Sequence, residues 1–382
     1  MADDRSDQSK LLPQVKQGIV PDESYGPPTF TSDDVTKMVV RLYGLNVQKI
    51  TELNSYTDQN FRITATDSSN DIVDFILKVI NAKESSNMDF MRGMINILLY
   101  LEEKGIKCPK PVKMLDGNYL SWHTLSGGAE HAVYLQTYIH GVPLNEVEEI
   151  SPQQCYLLGV NLGKMDKALQ EFKHPGFRKE NTQWRIENIP NLSKYLPEVC
   201  DGDRRRLASI VLQSFEDNVV PVYGHLRQGI IHCDYTPDNI IVQLNDDETA
   251  KISGDAYAIS GVIDFGDVKH STYLFEIAIS TAEFVMEQPT NTPFVAKSLL
   301  AGYEAEFPLT EQEKSLLEIC SLARLTQLAI LSSLELKRQP TNKYVDRIAK
   351  TAWKSLERYT SESLFKEDHR IIQQIRDMTE NF

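Results

Sequence analysis

Hydrophobic and polar positions alternate along the first third of the chain and recur at helical spacing along most of the rest. A first helix is predicted from Thr31 or Ser32 as N-cap, with Asp33 and Asp34 beside the positive end of its dipole. "KITELNSYTDQNFRITAT" reads as a hairpin whose polar loop, Ser55 to Asn60, separates two extended runs, and "DIVDFILKVI" follows as a third strand. Residues 87–104 place Phe90, Met91, Met94, Ile95, Leu98 and Leu101 on one side of a helix that Gly105 closes. A second strand pair lies in "NYLSWHTLSGGAEHAVYLQTYIHG", with Ser126, Gly127 and Gly128 at its turn, and the Gly-Val-Pro segment at 141–143 marks a boundary. Beyond about residue 150 the pattern is mainly helical, apart from strand and loop pieces at 229–264. The tail at 311–358 is expected to cover a core, and the Asp-, Ser-, Gln- and Pro-rich residues 1–28 to form a mobile leader.

Length and charge narrow the field. At 382 residues the chain exceeds what one hydrophobic core supports, so two lobes are expected, 29–140 and 141–382. A net charge of -14 and a pI near 5.1 argue against a nucleic-acid or anionic-membrane partner. The short run Arg204, Arg205, Arg206 reads as a solvated helix face. Five cysteines, scattered and without a C-x-x-C pair, fit a reducing compartment. "MADDRSDQSK" has neither the apolar core of a secretory signal nor the acid-poor character of a transit peptide, and no apolar run approaches the ~20 residues of a membrane span. A cytoplasmic protein is expected.

The chemistry concentrates in "GIIHCDYTPDNIIV", residues 229–242. Two short apolar strands flank a polar loop that carries His232, Asp234 and Asn239, and loops on rigid strands are where reactive side chains are displayed. Asp264, in "GVIDFGDVKH", ends a third apolar strand. Oxygen ligands of this kind suit Mg²⁺, which takes one or two carboxylates and completes its shell with water and phosphate. An Asp outside that set can accept the proton of an attacking hydroxyl, so the pattern points to phosphoryl transfer. Lys78, in an otherwise apolar strand, would meet the nucleotide phosphates. His232 reads as a packing residue; Asp267 reads equally as an acid of the site or a surface residue; Asp58, Gln59 and Asn60, taken singly, read as hairpin-turn residues.

"HCDYTPDN" and "VIDFGD", preceded by a strand lysine and a polar hairpin, resemble the catalytic and metal-binding loops of the aminoglycoside phosphotransferase family, which has a bilobal protein-kinase-like α+β fold. "LNSYTDQNFRI", "MDKALQEFKHPGF", "ENTQWRIENIPNL" and "GVIDFGDVKHSTYLFEIAIS" are similar to its hydroxylysine-phosphorylating branch, from about residue 30 onward. The resemblance implies Asp234 as base, Asn239 and Asp264 as Mg²⁺ ligands, and Lys78 on the α- and β-phosphates. It also implies Ser55, Tyr56, Asp58, Gln59 and Asn60 as a side-chain substitute for a Gly-rich loop, and Gln136, Thr137 and Tyr138 as the hinge that reads the purine of GTP or ATP. In that branch GTP is the donor and 5-hydroxy-L-lysine the acceptor. One departure stands out: Arg92 occupies the helix where the family sets a Glu against the strand lysine, with Glu84 or Asp89 as substitutes.

Such an acceptor carries two amines and a carboxylate. Asp166, Asp238, Asp267 and Glu276 are candidates for the amines, and Arg185, beside Trp184, for the carboxylate. Competing readings are a kinase for choline, ethanolamine or homoserine, and an idle kinase-fold binding protein, which Arg92 favours.

Overall fold

The computed structural model describes residues 28–362, apart from 54, 56, 67–68, 125–127, 148–149, 179–183, 245–256 and 289–291. The leader expected at 1–28 therefore lies outside the described residues except for its last position, as does most of the turn expected at 126–128. Helix α1 (Ser32–Tyr43) opens with a capping box between Thr31 and Asp34 and ends at Gly44, whose φ of 68° is the left-handed conformation glycine adopts freely. Five antiparallel strands follow: β1 (Asn46–Leu53), β2 (Gln59–Thr66), β3 (Ile72–Val79), β4 (Ser121–Thr124) and β5 (Glu130–Thr137), in the order β1-β2-β3-β5-β4. Between β3 and β4 run a single turn, α2 (Ala82–Ser85), and the amphipathic α3 (Met88–Glu103).

Two apolar clusters hold the chain together. The smaller packs Val35, Met38 and Val39 of α1 on Phe61, Ile63, Leu77 and Leu135 of the sheet. The larger takes in the buried side of α3 together with the helices that follow. In packing terms, α3 thus belongs with the later part of the chain rather than with the sheet beside it in sequence.

That later part contains α4 (Pro152–Leu169), α5 (Gly202–Asn218), α6 (Tyr273–Glu287), α7 (Thr292–Glu306), α8 (Glu311–Arg338) and α9 (Lys343–Glu362). Its strands are few. β6 (Val142–Pro143), β8 (Ile240–Leu244) and β9 (Tyr257–Val262) form one antiparallel sheet, and β7 (Gln228–Ile231) pairs with β10 (Lys269–Thr272). The two strands that flank the Asp234 loop therefore enter different sheets, and the Gly-Val-Pro segment is tied to β8 rather than left as a free connection.

The tail is more than cover. An 18-residue window of α8 has mean hydropathy 1.3, enough by composition to cross a membrane, yet 94% of it is buried inside the protein. It is the central core helix, and with α9 it forms one wall of the cavity described below.

Helices α4 and α7 meet through glycine. A Cβ on Gly302 would fall 1.9 Å from the Tyr156 carbonyl oxygen, and one on Gly159 would fall 2.0 Å from that of Leu299. Only bare backbones fit at that spacing. Gly302→Ala is expected to force the helices apart at about 1–3 kcal/mol, as overpacking does. Calorimetry should show a melting temperature lower by about 2–8 °C, and an unchanged value would contradict the close approach.

Candidate active site

Asp234 sits in the loop after β7, where the chain reverses. Cys233 just before it has φ 67°, and Asp264, the residue that begins the next functional loop, has φ 60°. Non-glycine residues take this conformation uncommonly, an Asp more readily than a Cys, and surrounding bonds hold them there. Here those bonds are visible. Glu276 on α6 accepts the Cys233 amide at 2.8 Å, and His232 Nδ1 accepts the Asp234 amide at 3.2 Å while its Nε2 donates to the Ile263 carbonyl at 3.2 Å. His232 is wholly buried, edge-on to Phe265, and burial pushes its pKa down to about 4, so it stays neutral and ties the two loops together. It acts in packing, not as a base.

Asn239 Nδ2 donates to both the carbonyl and the carboxylate of Asp234, which fixes the amide and leaves Oδ1 without a donor among the described residues. Asn239, Asp234 and Asp264 line one cavity of about 350 Å³. Lys78 reaches Asp264 Oδ1 at 3.0 Å from β3. Burial opposes the charge on Lys78, but Asp264, Tyr134 and Asp58 outweigh it and raise its pKa. Lys78 in turn holds Asp264 below the usual carboxylate range, although 52% of the Asp264 side chain stays open to the cleft. Asp234 moves the other way: burial and then the charge of Asp267 hold its pKa well above that of a free aspartate. Two carboxylates of one cavity are thus driven in opposite directions.

The donor set fits a hard cation. An amide oxygen and an exposed carboxylate face one cleft, and among the described residues no group of three or more His, Cys, Asp or Glu side chains forms a self-sufficient metal cage. That is the pattern of Mg²⁺ completed by water and phosphate oxygens.

Other expected residues fall differently. Asp58 faces Lys78 and accepts both nitrogens of Asn81, while Ser55 is exposed, and Tyr56 lies outside the described residues. Gln59 is engaged within the sheet and its flank: its amide clamps both backbone groups of Phe30 and reaches Glu52. Asn60 Oδ1 is buried without a hydrogen-bond partner among the described residues. At the hinge, the Thr137 and Tyr138 amides donate to the carbonyls of Lys110 and Asp74, so these N–H groups are not free to read a base, and Gln136 is buried. Tyr138 stacks under Arg62 at 4.3 Å.

Arg92 is exposed on α3 and does not oppose Lys78, because the apolar face with Met91, Met94 and Ile95 is the one that turns inward. Asp89 is exposed and Glu84 half-buried. The expected clash is absent; the acids acting on Lys78 are Asp264 and Asp58.

Among the acceptor candidates, Asp238 and Asp267 line the cavity, whereas Asp166, Glu276 and Arg185 do not. Asp166 is bound by Tyr303 at 2.7 Å, and it and Glu276 lie fully buried behind the loop, where burial pushes Glu276 up to about 7. Arg185 is held by Glu187 at 2.7 Å and by the His270 carbonyl. The charged residues that sequence reading missed are Glu283, Arg324, Glu335 and Lys269 on the cavity wall. Arg324 and Glu283 stand inside apolar helices, and a charge in such a run is the signal that would have found them.

The chain matches the phosphotransferase enzyme family over residues 49–313. It belongs to that family. Hydroxylysine kinase of Mus musculus is 32% identical over 340 residues, covering 86% of this chain and 89% of the relative. Homoserine kinase of Methylobacillus glycogenes is 26% identical over 286 residues, covering 72% and 80%. Among solved structures, amicoumacin kinase hAmiN in complex with AMP-PNP, Ca²⁺ and Ami superposes with TM-score 0.63 at 17% identity, covering 90% of this chain and 97% of that one. The fold is the bilobal protein-kinase-like α+β architecture, and the chain is a small-molecule kinase acting on an alcohol group.

Because Arg92 faces solvent, Arg92→Glu is expected to leave kcat/KM within about twofold of the parent, as exposed substitutions do. A fall of more than about tenfold would give Arg92 a role in the site after all.

Proposed function

We propose that the chain transfers the γ-phosphoryl group of GTP, or of ATP, to the side-chain hydroxyl of 5-hydroxy-L-lysine, with Asp234 as general base and Mg²⁺ as cofactor. The observation that carries this reading is the convergence of Asp234, Asn239 and Asp264 on one cavity, with Lys78 paired to Asp264 at its edge. The hydroxylysine kinase relatives supply the acceptor, and acids on the cavity wall suit its ammonium groups.

The acceptor hydroxyl donates its hydrogen bond to the Asp234 carboxylate, which orients one oxygen lone pair toward the phosphorus. As the O–P bond forms, the proton passes to Asp234 and the bond to the nucleoside diphosphate oxygen breaks. Lys78 stabilises charge on the phosphates. Asn239 and Asp264 would hold Mg²⁺, which when bound neutralises phosphate charge. Asp58 would steer the loop between β1 and β2 against the nucleotide, and the hinge carbonyls at 136–138 would meet the base. The reaction is expected in the cytoplasm. Homoserine, choline and ethanolamine share this machinery and differ only at the acceptor wall.

Nucleoside diphosphate release from GTP and from ATP, measured with Mg²⁺ against hydroxylysine, lysine, homoserine, choline and ethanolamine, tests the reading. Release that requires hydroxylysine and is absent with lysine is expected. Release with a different acceptor would replace the substrate, and silence across the panel with nucleotide still bound would favour the idle binding protein. Asp234→Asn should lower kcat by roughly 10²–10⁴-fold with nucleotide affinity retained; loss of both together would remove Asp234 from the role of base.

A further inference from the structure

The wall of the cavity contains a cation whose charge reaches Asp234 but whose hydrogen bonds the phosphoryl chemistry does not use. Arg324 on α8 is 6% exposed and lines the cavity. Its Nε and Nη2 donate to Glu283 Oε1 at 3.2 and 2.9 Å, and its Nη1 donates to Gln327 Oε1 at 2.9 Å. A guanidinium carries five N–H donors. One hydrogen on Nη1 and one on Nη2 therefore find no acceptor among the described residues. Glu283, on α6, is 8% exposed and lines the same cavity. It receives both bonds on Oε1, so Oε2 has no donor among the described residues.

A pair serving the fold alone would gain most by meeting edge to edge, two oxygens on two nitrogens, because a buried charge is costly until its bonds are filled. Among the described residues Arg324 keeps two unfilled N–H groups and Glu283 one unfilled oxygen. Gln327 holds the guanidinium in place and donates to the Arg185 carbonyl, and the Trp184 ring lies 5.8 Å from the guanidinium carbon. The group is fixed in orientation yet unsaturated. A carboxylate fits the open Arg324 edge with two parallel hydrogen bonds, and an ammonium fits Glu283 Oε2. An α-amino acid carries both on one carbon.

We propose that Arg324 and Glu283 are the α-amino-acid clamp of the acceptor site, Arg324 taking the α-carboxylate and Glu283 the α-ammonium. This rests on the reading above that the cavity phosphorylates an amino-acid hydroxyl. Asp234 lines the same cavity, so one extended amino acid held at its α-carbon can present a distal hydroxyl to the base. The clamp also rejects. An amino alcohol without a carboxylate sets its cation beside Arg324 and leaves the guanidinium edge unfilled, which disfavours choline, ethanolamine and similar acceptors.

The test compares two acceptors with identical hydroxyl surroundings, 5-hydroxylysine and its decarboxylated amine, 1,5-diaminopentan-2-ol. The parent enzyme is expected to favour the amino acid in kcat/KM by about 10²-fold, the range of a desolvated charge pair. Arg324→Gln is expected to collapse that preference to about threefold or less through KM for the acceptor, with KM for the nucleotide unmoved. Should Arg324→Gln not fold, 5-hydroxylysine carboxamide on the parent enzyme gives the same answer, and a loss of about 10²-fold is expected there too. Equal use of amino acid, amine and carboxamide by the parent would overturn the clamp while leaving hydroxyl phosphorylation standing. Absence of transfer to every one of them, with nucleotide bound, would instead fail the functional reading on which the clamp rests.

Discussion

The ion pair between Lys78 and Asp264, at 3.0 Å across 186 positions of chain, is the contact on which the cleft depends. Lys78 comes from the five-stranded sheet and Asp264 from the loop after β9, so one interaction registers the antiparallel sheet against the loops of the helical part. A buried lysine without an anion would lose its charge or its burial. Asp264, with Asp58 and Tyr134 behind it, keeps the charge in place and leaves half of its own side chain open to the cleft. An anion entering there would meet a cation already positioned.

The loops themselves are strained and over-determined. Left-handed Cys233 and Asp264 each cost about 1–3 kcal/mol, and the cost is offset by bonds from elements rigid enough to impose it: Glu276 on the wholly buried face of α6, and neutral His232 bridging to Ile263. Glu276 and Asp166 are the clearest case of chemistry that looks like substrate binding in sequence and serves the scaffold in space. Their carboxylates lie behind the catalytic loop, not in front of it.

Much of this was legible in the chain. The strand-loop-strand around Asp234, the Asp264 loop and the Lys78 strand are local patterns, and period-two alternation and turn residues specify them without reference to distant partners. The far wall of the cavity was not legible, because it is assembled from Glu283 on α6, Arg324 on α8 and Tyr344 on α9, which no spacing rule brings together. Proximity in sequence misled instead. Arg185 stands beside Trp184 in sequence, but the fold gives Trp184 to Arg324 while Glu187 takes Arg185. Arg92 misled in the same way: its place in a helix was readable, its side was not, and one step of helical rotation moves it from the lysine to solvent.

Everything in the cleft turns on one bond, between phosphorus and an alcohol oxygen. Phosphorus NMR of the product formed from nucleotide, Mg²⁺ and 5-hydroxylysine reads that bond directly. A phosphoester coupled to the proton on the hydroxyl-bearing carbon is the predicted result. Phosphorus bonded to an amine, or free phosphate alone with the amino acid unmodified, would contradict it.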